Sequence, residues 1–283
     1  MIELSVGIIG VPFDHGIKLI NGRPGARFAP EAIKKEFFRL IKKKKYIDGV
    51  KTIDCRNVNP VKNNVKATHE RVTSVVKKTI KGGVVPIVLG GGHDITFGSS
   101  RAVAQAYKKI GQINIDAHYD VRPVVNGKIT SGTPFWRLLE SKLLLGSNFV
   151  EMGVHSPRCL PEHYKYLTKK KATVIKLDYI NKIGIDKSLA KAFLLTDKKT
   201  NATVFDIDID GVQKRFAPGC SAPGIEGFTK KQIIRAAYLA GKNKNVKLFN
   251  IMEVSPVYDV KNKTVRLAAE LILSFIKGVS KRK

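Results

Sequence analysis

The stretch TVFDIDIDGV (203–212) sets Asp206, Asp208 and Asp210 at alternate positions, with Phe205, Ile207 and Ile209 between them. Successive side chains of a strand point to opposite faces, so the apolar residues share one face and the carboxylates crowd the other. A helix would scatter Phe and Ile around its circumference, and the β-branched content favours the strand. Like charges along one face repel, and that face calls for a cation. The alternative is a solvated edge strand whose charges protect it from pairing with another sheet.

Outward from this stretch, apolar strand-like runs recur at LSVGIIG (4–10), VKTIDC (50–55), VVPIVLG (84–90), QINID (112–116), NFVEMGV (148–154), TVIKLD (173–178), TVFDID (203–208) and KLFNIMEV (247–254). Helix-like segments lie between and after them at 30–45, 66–81, 101–109, 161–170, 187–198, 229–239 and 265–277. The alternation predicts an α/β fold, a three-layer αβα sandwich with a mostly parallel sheet of about eight strands. Parallel neighbours need crossover connections, and both faces of the sheet need cover. No repeat or linker interrupts the pattern, so residues 1–283 read as a single domain. The 43% hydrophobic content of its 283 residues is enough for one sizeable core. The loop 122–133, rich in Gly, Pro, Asn and Ser, reads as the rim of a site.

The formal charge of +28, from 51 Lys and Arg against 23 Asp and Glu, attracts anions of any kind and makes nucleic acid a partner to weigh. The basic residues are nevertheless spread along the whole chain, with short runs only at 42–45, 169–171 and 281–283. None of these runs has the interleaved aromatics of a stacking groove, so a solvated Lys-rich surface is the better reading. Cys55, Cys159 and Cys220 are too few and too scattered for a disulfide framework or a CxxC zinc site, and they suit a reducing compartment. The start, MIELSVGIIG, has no basic leader or cleavage site, and no stretch reaches transmembrane length. The expectation is a soluble cytoplasmic protein with no membrane partner.

In parallel sheets ligands bind outside the carboxyl ends of the strands, so the residues that follow each apolar run carry the chemistry. VVPIVLG runs into GGGHD (90–94), whose glycines permit a tight turn that delivers His93. QINID opens DAHYD (116–120), which alternates Asp116, His118 and Asp120 onto one face. TVF is followed by DIDID. Each piece alone has a plain structural reading, a hydrogen-bonded core histidine or an aspartate that caps the next helix. GGGHD has neither the Lys and Ser or Thr of a P-loop nor the spacing of a dinucleotide fingerprint. Together the pieces form an oxygen-rich, nitrogen-containing set suited to a pair of divalent first-row ions.

GGGH (90–93), DAHYD (116–120), DID (208–210) and EVSP (253–256) stand in the order of the motifs of the ureohydrolase family, the arginases and agmatinases, which the chain resembles over nearly its whole length. VPFDHG (11–16) and NGRPGARFAPEAI (21–33) extend the resemblance. It implies an arginase-like catalytic domain holding two Mn²⁺ ions. Three aspartates compete for the family's two DxD positions, and counting back from APG (217–219) places Asp208 and Asp210 there, leaving Asp206 behind the site. The resemblance implies that Asp116 and Asp208 bridge the ions, that His93 and Asp120 complete one site, and that His118 and Asp210 complete the other. It further implies attack by a metal-bridging hydroxide on an amidine or guanidine carbon held by Glu253, with Asp120 moving the proton to the leaving nitrogen. Trimers or hexamers are common among such relatives.

Arginases and agmatinases carry a His-Gly pair after DAHxD, where this chain has TSGTPF (130–135) with Ser131 in the histidine's place. SGTPF, APGCSAP (217–223) and Arg122 in DAHYDVR resemble the formimidoylglutamase subgroup. That implies cleavage of N-formimidoyl-L-glutamate to L-glutamate and formamide, a step of histidine degradation. An arginine at position 122 offers a bidentate clamp for a carboxylate, and Ser131 joins it as a candidate substrate contact; Arg23 and Arg158 are further rim cations. The competing readings are an agmatinase, guanidinobutyrase or arginase-type guanidine hydrolase and, from another class, a basic nucleic-acid-binding protein with an inert metal site. His15, His69, His155 and His163 match no ligand position, and Cys220 is expected in the pocket wall without thiol chemistry.

Overall fold

The computed structural model describes residues 4–157 and 159–282. All eight expected strands form: β1 (Ser5–Gly10), β3 (Val50–Asn57), β4 (Val85–Leu89), β5 (Ile110–Ile115), β6 (Phe149–Met152), β7 (Thr173–Ile175), β8 (Ala202–Asp208) and β9 (Val246–Met252). A ninth, β2 (Tyr46–Ile47), pairs antiparallel with β3 at the sheet edge, and every other pairing is parallel. Two residues are too few to leave a periodic signal, which is why the sequence does not announce it. The strand order is β2-β3-β1-β4-β9-β8-β5-β6-β7.

Alternation along the central strands sorts the core into two layers. Ile8, Ile87, Phe205, Ile207, Phe249 and Ile251 pack on one face against α2 (Ala29–Leu40), α7 (Leu177–Ile183), α8 (Ile185–Asp197), α9 (Lys230–Lys242) and α10 (Lys263–Val279). Ile9, Val88, Val204 and Leu248 pack on the other against α3 (Val65–Lys81), α4 (Ile95–Tyr107), α5 (Pro134–Glu140) and α6 (Pro161–Lys169). The expected three-layer sandwich is therefore present. β8 lies between β5 and β9 and all seven of its residues are buried, which removes the edge-strand reading of its carboxylates.

Boundaries differ from expectation where the backbone turns. The segment expected as a helix over 30–45 stops at Leu40, because Lys42 and Lys43 take positive φ and lead the chain into β2. The run expected as a strand over 173–178 ends at Ile175, and Asp178 sits in the first turn of α7, where a carboxylate suits the helix dipole. The short helix α1 (His15–Leu19) and α5 follow motif loops whose composition masks them. Among the described residues no helix is long and apolar enough to cross a membrane.

The outer pair α9 and α10 touch through glycines. A methyl group on Gly241 would collide with the Phe275 carbonyl oxygen, and one on Gly278 with that of Tyr238. Gly241→Ala and Gly278→Ala are each expected to cost about 1–3 kcal/mol by overpacking. Thermal denaturation should show a Tm lower by about 2–10 °C; an unchanged Tm would mean that the helices do not meet there.

Candidate metal centre

The strands that carry the four motifs are neighbours at the middle of the sheet, in the order β4-β9-β8-β5. Their carboxyl ends therefore deliver GGGH, EVSP, DID and DAHYD to one crevice, although residues 90 to 256 separate them in sequence. The turn after β4 depends on Gly91, where a Cβ would run into the Phe13 carbonyl oxygen. That close approach lets Gly92 N–H donate to Phe13 O at 3.0 Å and sets His93, fully buried, at the strand end.

Three carboxylates converge on His93. Its Nδ1 lies 2.9 Å from Asp120 Oδ2, 3.1 Å from Asp208 Oδ2 and 3.3 Å from Asp116 Oδ2. His118 Nδ1 lies 3.2 Å from Asp210 Oδ2 and 3.4 Å from Asp116 Oδ1. Asp116 thus turns one oxygen to each histidine, while its Oδ1 also accepts the His118 N–H at 2.7 Å. Asp208 Oδ1 accepts the Asp210 N–H at 2.9 Å, leaving Oδ2 for the His93 cluster. Asp120 (φ 45°) and Glu253 (φ 65°) hold left-handed backbone, a conformation that costs non-glycine residues on the order of 1–3 kcal/mol and is often found at functional sites.

Despite this crowding, His93 Nδ1, His93 Nε2 and Asp210 Oδ1 are buried without a hydrogen-bond partner. Nε2 faces inward toward Asp206, whereas Nδ1 faces the carboxylates of Asp116, Asp120 and Asp208, and a bare imidazole nitrogen set among carboxylate oxygens is what a divalent ion would satisfy. Two groups have the spacing to hold one: His93, Asp116, Asp120 and Asp208, and Asp116, His118 and Asp210, each with ligand atoms within 4.8 Å of one another. Asp116 belongs to both groups, and Asp208 to the first.

Asp206 is satisfied differently. It is fully buried and accepts from Thr96 Oγ1 at 2.9 Å, Gln112 Nε2 at 2.7 Å and Asn250 Nδ2 at 3.0 Å. Three neutral donors thus replace the cation for the innermost carboxylate, 3.9 Å from His93 Nε2. Sequence reasoning missed this polar layer and its neighbour, in which Asn114 Nδ2 donates to both oxygens of buried Glu151 (3.0 and 3.2 Å) and to Asp116 Oδ2 (3.3 Å). The signal was present: Gln112 and Asn114 alternate with isoleucines in step with Asp116.

Charge and burial set the protonation balance. Burial first, then neighbouring carboxylates, pushes Asp208 and Glu253 well up and Asp120 up; burial likewise raises Asp210. Burial also opposes ionisation of Asp116, but His118 and His93 together hold it below the ordinary carboxylate range. The two imidazoles are raised despite their burial, His93 by Asp116, Asp120 and Asp208, and His118 by Asp210 and Asp116.

Glu253 joins the centre through Oε1, which accepts the His93 N–H at 2.9 Å. A pocket of 590 Å³ opens over His118, lined also by Arg23, His155, Ser221 and Glu226. Arg122 is not among its lining residues; it lines a neighbouring cavity of 410 Å³ with Glu162 and His163. Ser131 lines neither, and its N–H donates to Gly16 O at 3.2 Å. Arg158 lies outside the described residues. Cys220, expected in the pocket wall, is instead fully buried in the apolar core and is not among the residues that line the pocket; burial with nearby Asp210, Asp208 and Glu253 pushes its thiol well up, which does not suit a nucleophile.

A family model described as the arginase family matches residues 4–277. Among curated proteins, the formimidoylglutamase of Halalkalibacterium halodurans is 30% identical over 96% of this chain and 86% of its own length. The mitochondrial agmatinase of Gallus gallus is also 30% identical, over 96% of this chain and 80% of its own. The crystal structure of Trypanosoma cruzi formiminoglutamase with Mn²⁺ superposes with a TM-score of 0.90 at 29% identity, covering 99% of this chain and 95% of that one.

The protonation balance has a measurable sign. Raised carboxyl and imidazole pKa values mean that the metal-free folded state binds more protons than the unfolded chain, so stability present at low pH is lost as pH rises through the folded values. Asp116 acts oppositely only below the ordinary carboxylate range, and His69 and His163, lowered by burial, act oppositely near the ordinary imidazole value but are outnumbered by the raised groups. Chelator-treated protein should therefore lose Tm from about pH 5 toward pH 9. Added divalent metal should raise Tm more at the alkaline end. A chelator-treated Tm that climbs with pH would contradict the balance.

Proposed function

The chain belongs to the arginase family, and from that premise we propose that it is a dimanganese hydrolase of linear amidines that cleaves N-formimidoyl-L-glutamate to L-glutamate and formamide. The observation that carries the reading is the convergence of His93, Asp116, His118, Asp120, Asp208 and Asp210 beside Glu253 at adjacent strand ends. His93 and Asp120 would complete one metal site and His118 and Asp210 the other, with Asp116 and Asp208 between them. Bound there, two divalent ions supply a nucleophile at neutral pH by acidifying water, and charge to stabilise the tetrahedral intermediate.

The chain's own residues supply placement and proton transfer. Glu253 has one oxygen fixed by His93 N–H, and the other accepts no bond among the described residues. That second oxygen would pair with the amidinium N–H groups and hold the carbon in line for attack. Asp120, with 15% of its side chain exposed, reaches the crevice and would carry the proton lost by water to the departing nitrogen as the C–N bond breaks. Water thus adds its oxygen to the amidine carbon, and the amine leaves protonated.

The equal identity of the agmatinase favours a second reading, a guanidine hydrolase that releases urea. Against it stands Ser131, since no histidine occurs between His118 and His155 to take the place of the family's His-Gly histidine. The nucleic-acid reading is weakened by six ionisable residues converging on one crevice, which a charged binding surface does not need.

Initial rates of the Mn²⁺-loaded protein on formimidoylglutamate, arginine, agmatine and 4-guanidinobutyrate should favour the first by glutamate release; preferential urea release would overturn the assignment. Asp208→Asn should lower kcat by about 100-fold or more and reduce bound metal measured by elemental analysis. Full metal content with normal turnover would sink the ligand assignment.

A further inference from the structure

The pocket over His118 is lined, among the described residues, by a single Lys or Arg, and that residue is Arg23. Its guanidinium is unusually constrained for an exposed side chain. Nε donates to Ser221 O at 3.0 Å, Nη2 donates to Cys220 O at 2.7 Å, and the group lies over the Tyr258 ring with 4.3 Å to the centroid. The backbone N–H of Arg23 adds a bond to Ser221 Oγ at 2.9 Å. Among the described residues, Nη1 makes no hydrogen bond and no carboxylate lies within ion-pair distance of the group. A planar cation with its orientation already fixed and donors to spare loses little freedom on taking a carboxylate.

The pocket also links the clamp to the chemistry. Arg23 and His118, a candidate metal ligand, line the same 590 Å³ pocket, and the bond to Cys220 O keeps the guanidinium there. Arg122 has no such connection and faces Glu162 and His163 in the neighbouring cavity. Glu226, exposed at the same mouth as Arg23, is the lining's one carboxylate among the described residues and would oppose a second negative charge.

We propose that Arg23, held by Cys220, Ser221 and Tyr258, is the residue that receives the substrate's tail carboxylate, in place of Arg122. The proposal rests on the amidine-hydrolase reading above, and it makes Arg23 a specificity-determining residue rather than a catalytic one.

The test compares kcat/KM for formimidoylglutamate with that for N-butylformamidine, an amidine without carboxylates, in wild type, R23M, R23K, R122M and R158M. R23M should lower the ratio by about 10- to 100-fold, the worth of one charge-assisted bond, mainly through KM. R23K, which keeps the charge but loses the fork, should fall between, and it carries the test if R23M does not fold. Circular dichroism and bound metal report that fold and centre persist. A wild-type ratio in R23M, an equal loss on both substrates, or a loss carried instead by R122M or R158M would overturn the proposal while leaving the reaction assigned.

If wild type instead releases urea from guanidines and ignores formimidoylglutamate, the reaction assignment fails and Arg23 is judged separately. R23M should then impair 4-guanidinobutyrate, which ends in a carboxylate, and spare agmatine, which ends in an ammonium; equal effects on the two would refute the clamp. Calorimetric titration of L-glutamate needs no turnover, and R23M should weaken its binding by a similar factor. Undiminished binding in R23M would count against Arg23 whatever the reaction.

Discussion

Three carboxylate oxygens within 3.3 Å of one buried imidazole nitrogen make the centre around His93 repulsive unless a cation sits among them. At an effective dielectric of about 20, two like charges 4 Å apart repel by roughly 4 kcal/mol, and several such pairs meet here. Much else in the architecture serves to hold that cluster together. The central strands are flanked on both faces by helices, so the core that fixes their spacing surrounds the crevice on two sides. Asp120 and Glu253 keep left-handed backbone within it, and Gly91 removes the Cβ that would push His93 out of place. A chain that tolerates strain and repulsion at one place must gain stability elsewhere, and the large buried apolar layers are where it does so.

β8 displays the logic in miniature. Its apolar face, Phe205 and Ile207, enters the helix-covered core, and its polar face changes character along the strand and into the 3-10 turn Ile209–Gly211 that follows it. Asp206, deepest, is met by hydroxyl and amide donors, whereas Asp208 and Asp210, nearer the crevice, meet imidazoles and other carboxylates. The same residue type thus has two environments a few ångströms apart. Donors satisfy a carboxylate permanently; a crowded set of acceptors leaves room for an ion.

Much of this was legible in the chain. Alternation identified all eight longer strands and the layers, because burial on both faces of a parallel sheet leaves strong local patterns. The six ligand candidates stood at strand ends, where the topology makes chemistry accessible. The order β4-β9-β8-β5 was not legible, since adjacency of strands so distant in sequence is decided by packing of the whole sheet. Nor was the two-residue β2, or the pairing within the polar layer: the alternation of Gln112 and Asn114 is visible in the chain, but the partners of Gln112, Asn114 and Asn250 come from different strands. The rim was least legible. Arg122 and Arg23 both look like carboxylate clamps in sequence, and only the path of their loops separates a residue lining the His118 pocket from one lining the cavity beside it.

That distinction matters because the net charge of +28 cannot make it. A diffuse positive field accelerates the approach of any anion, and beyond about 10 Å salt screens it. It draws glutamate, phosphate and formimidoylglutamate alike, so selection has to occur within contact distance. At the mouth of the pocket that leaves a fixed guanidinium and an exposed carboxylate, Arg23 and Glu226, above two imidazoles. A substrate that carries its negative charge at one end and a planar cation at the other can satisfy Arg23 and Glu253 together only if its length matches the gap between them. Length and charge order, read by groups on rigid strand ends and a tethered loop, would then discriminate among amidines and guanidines that share one reactive carbon.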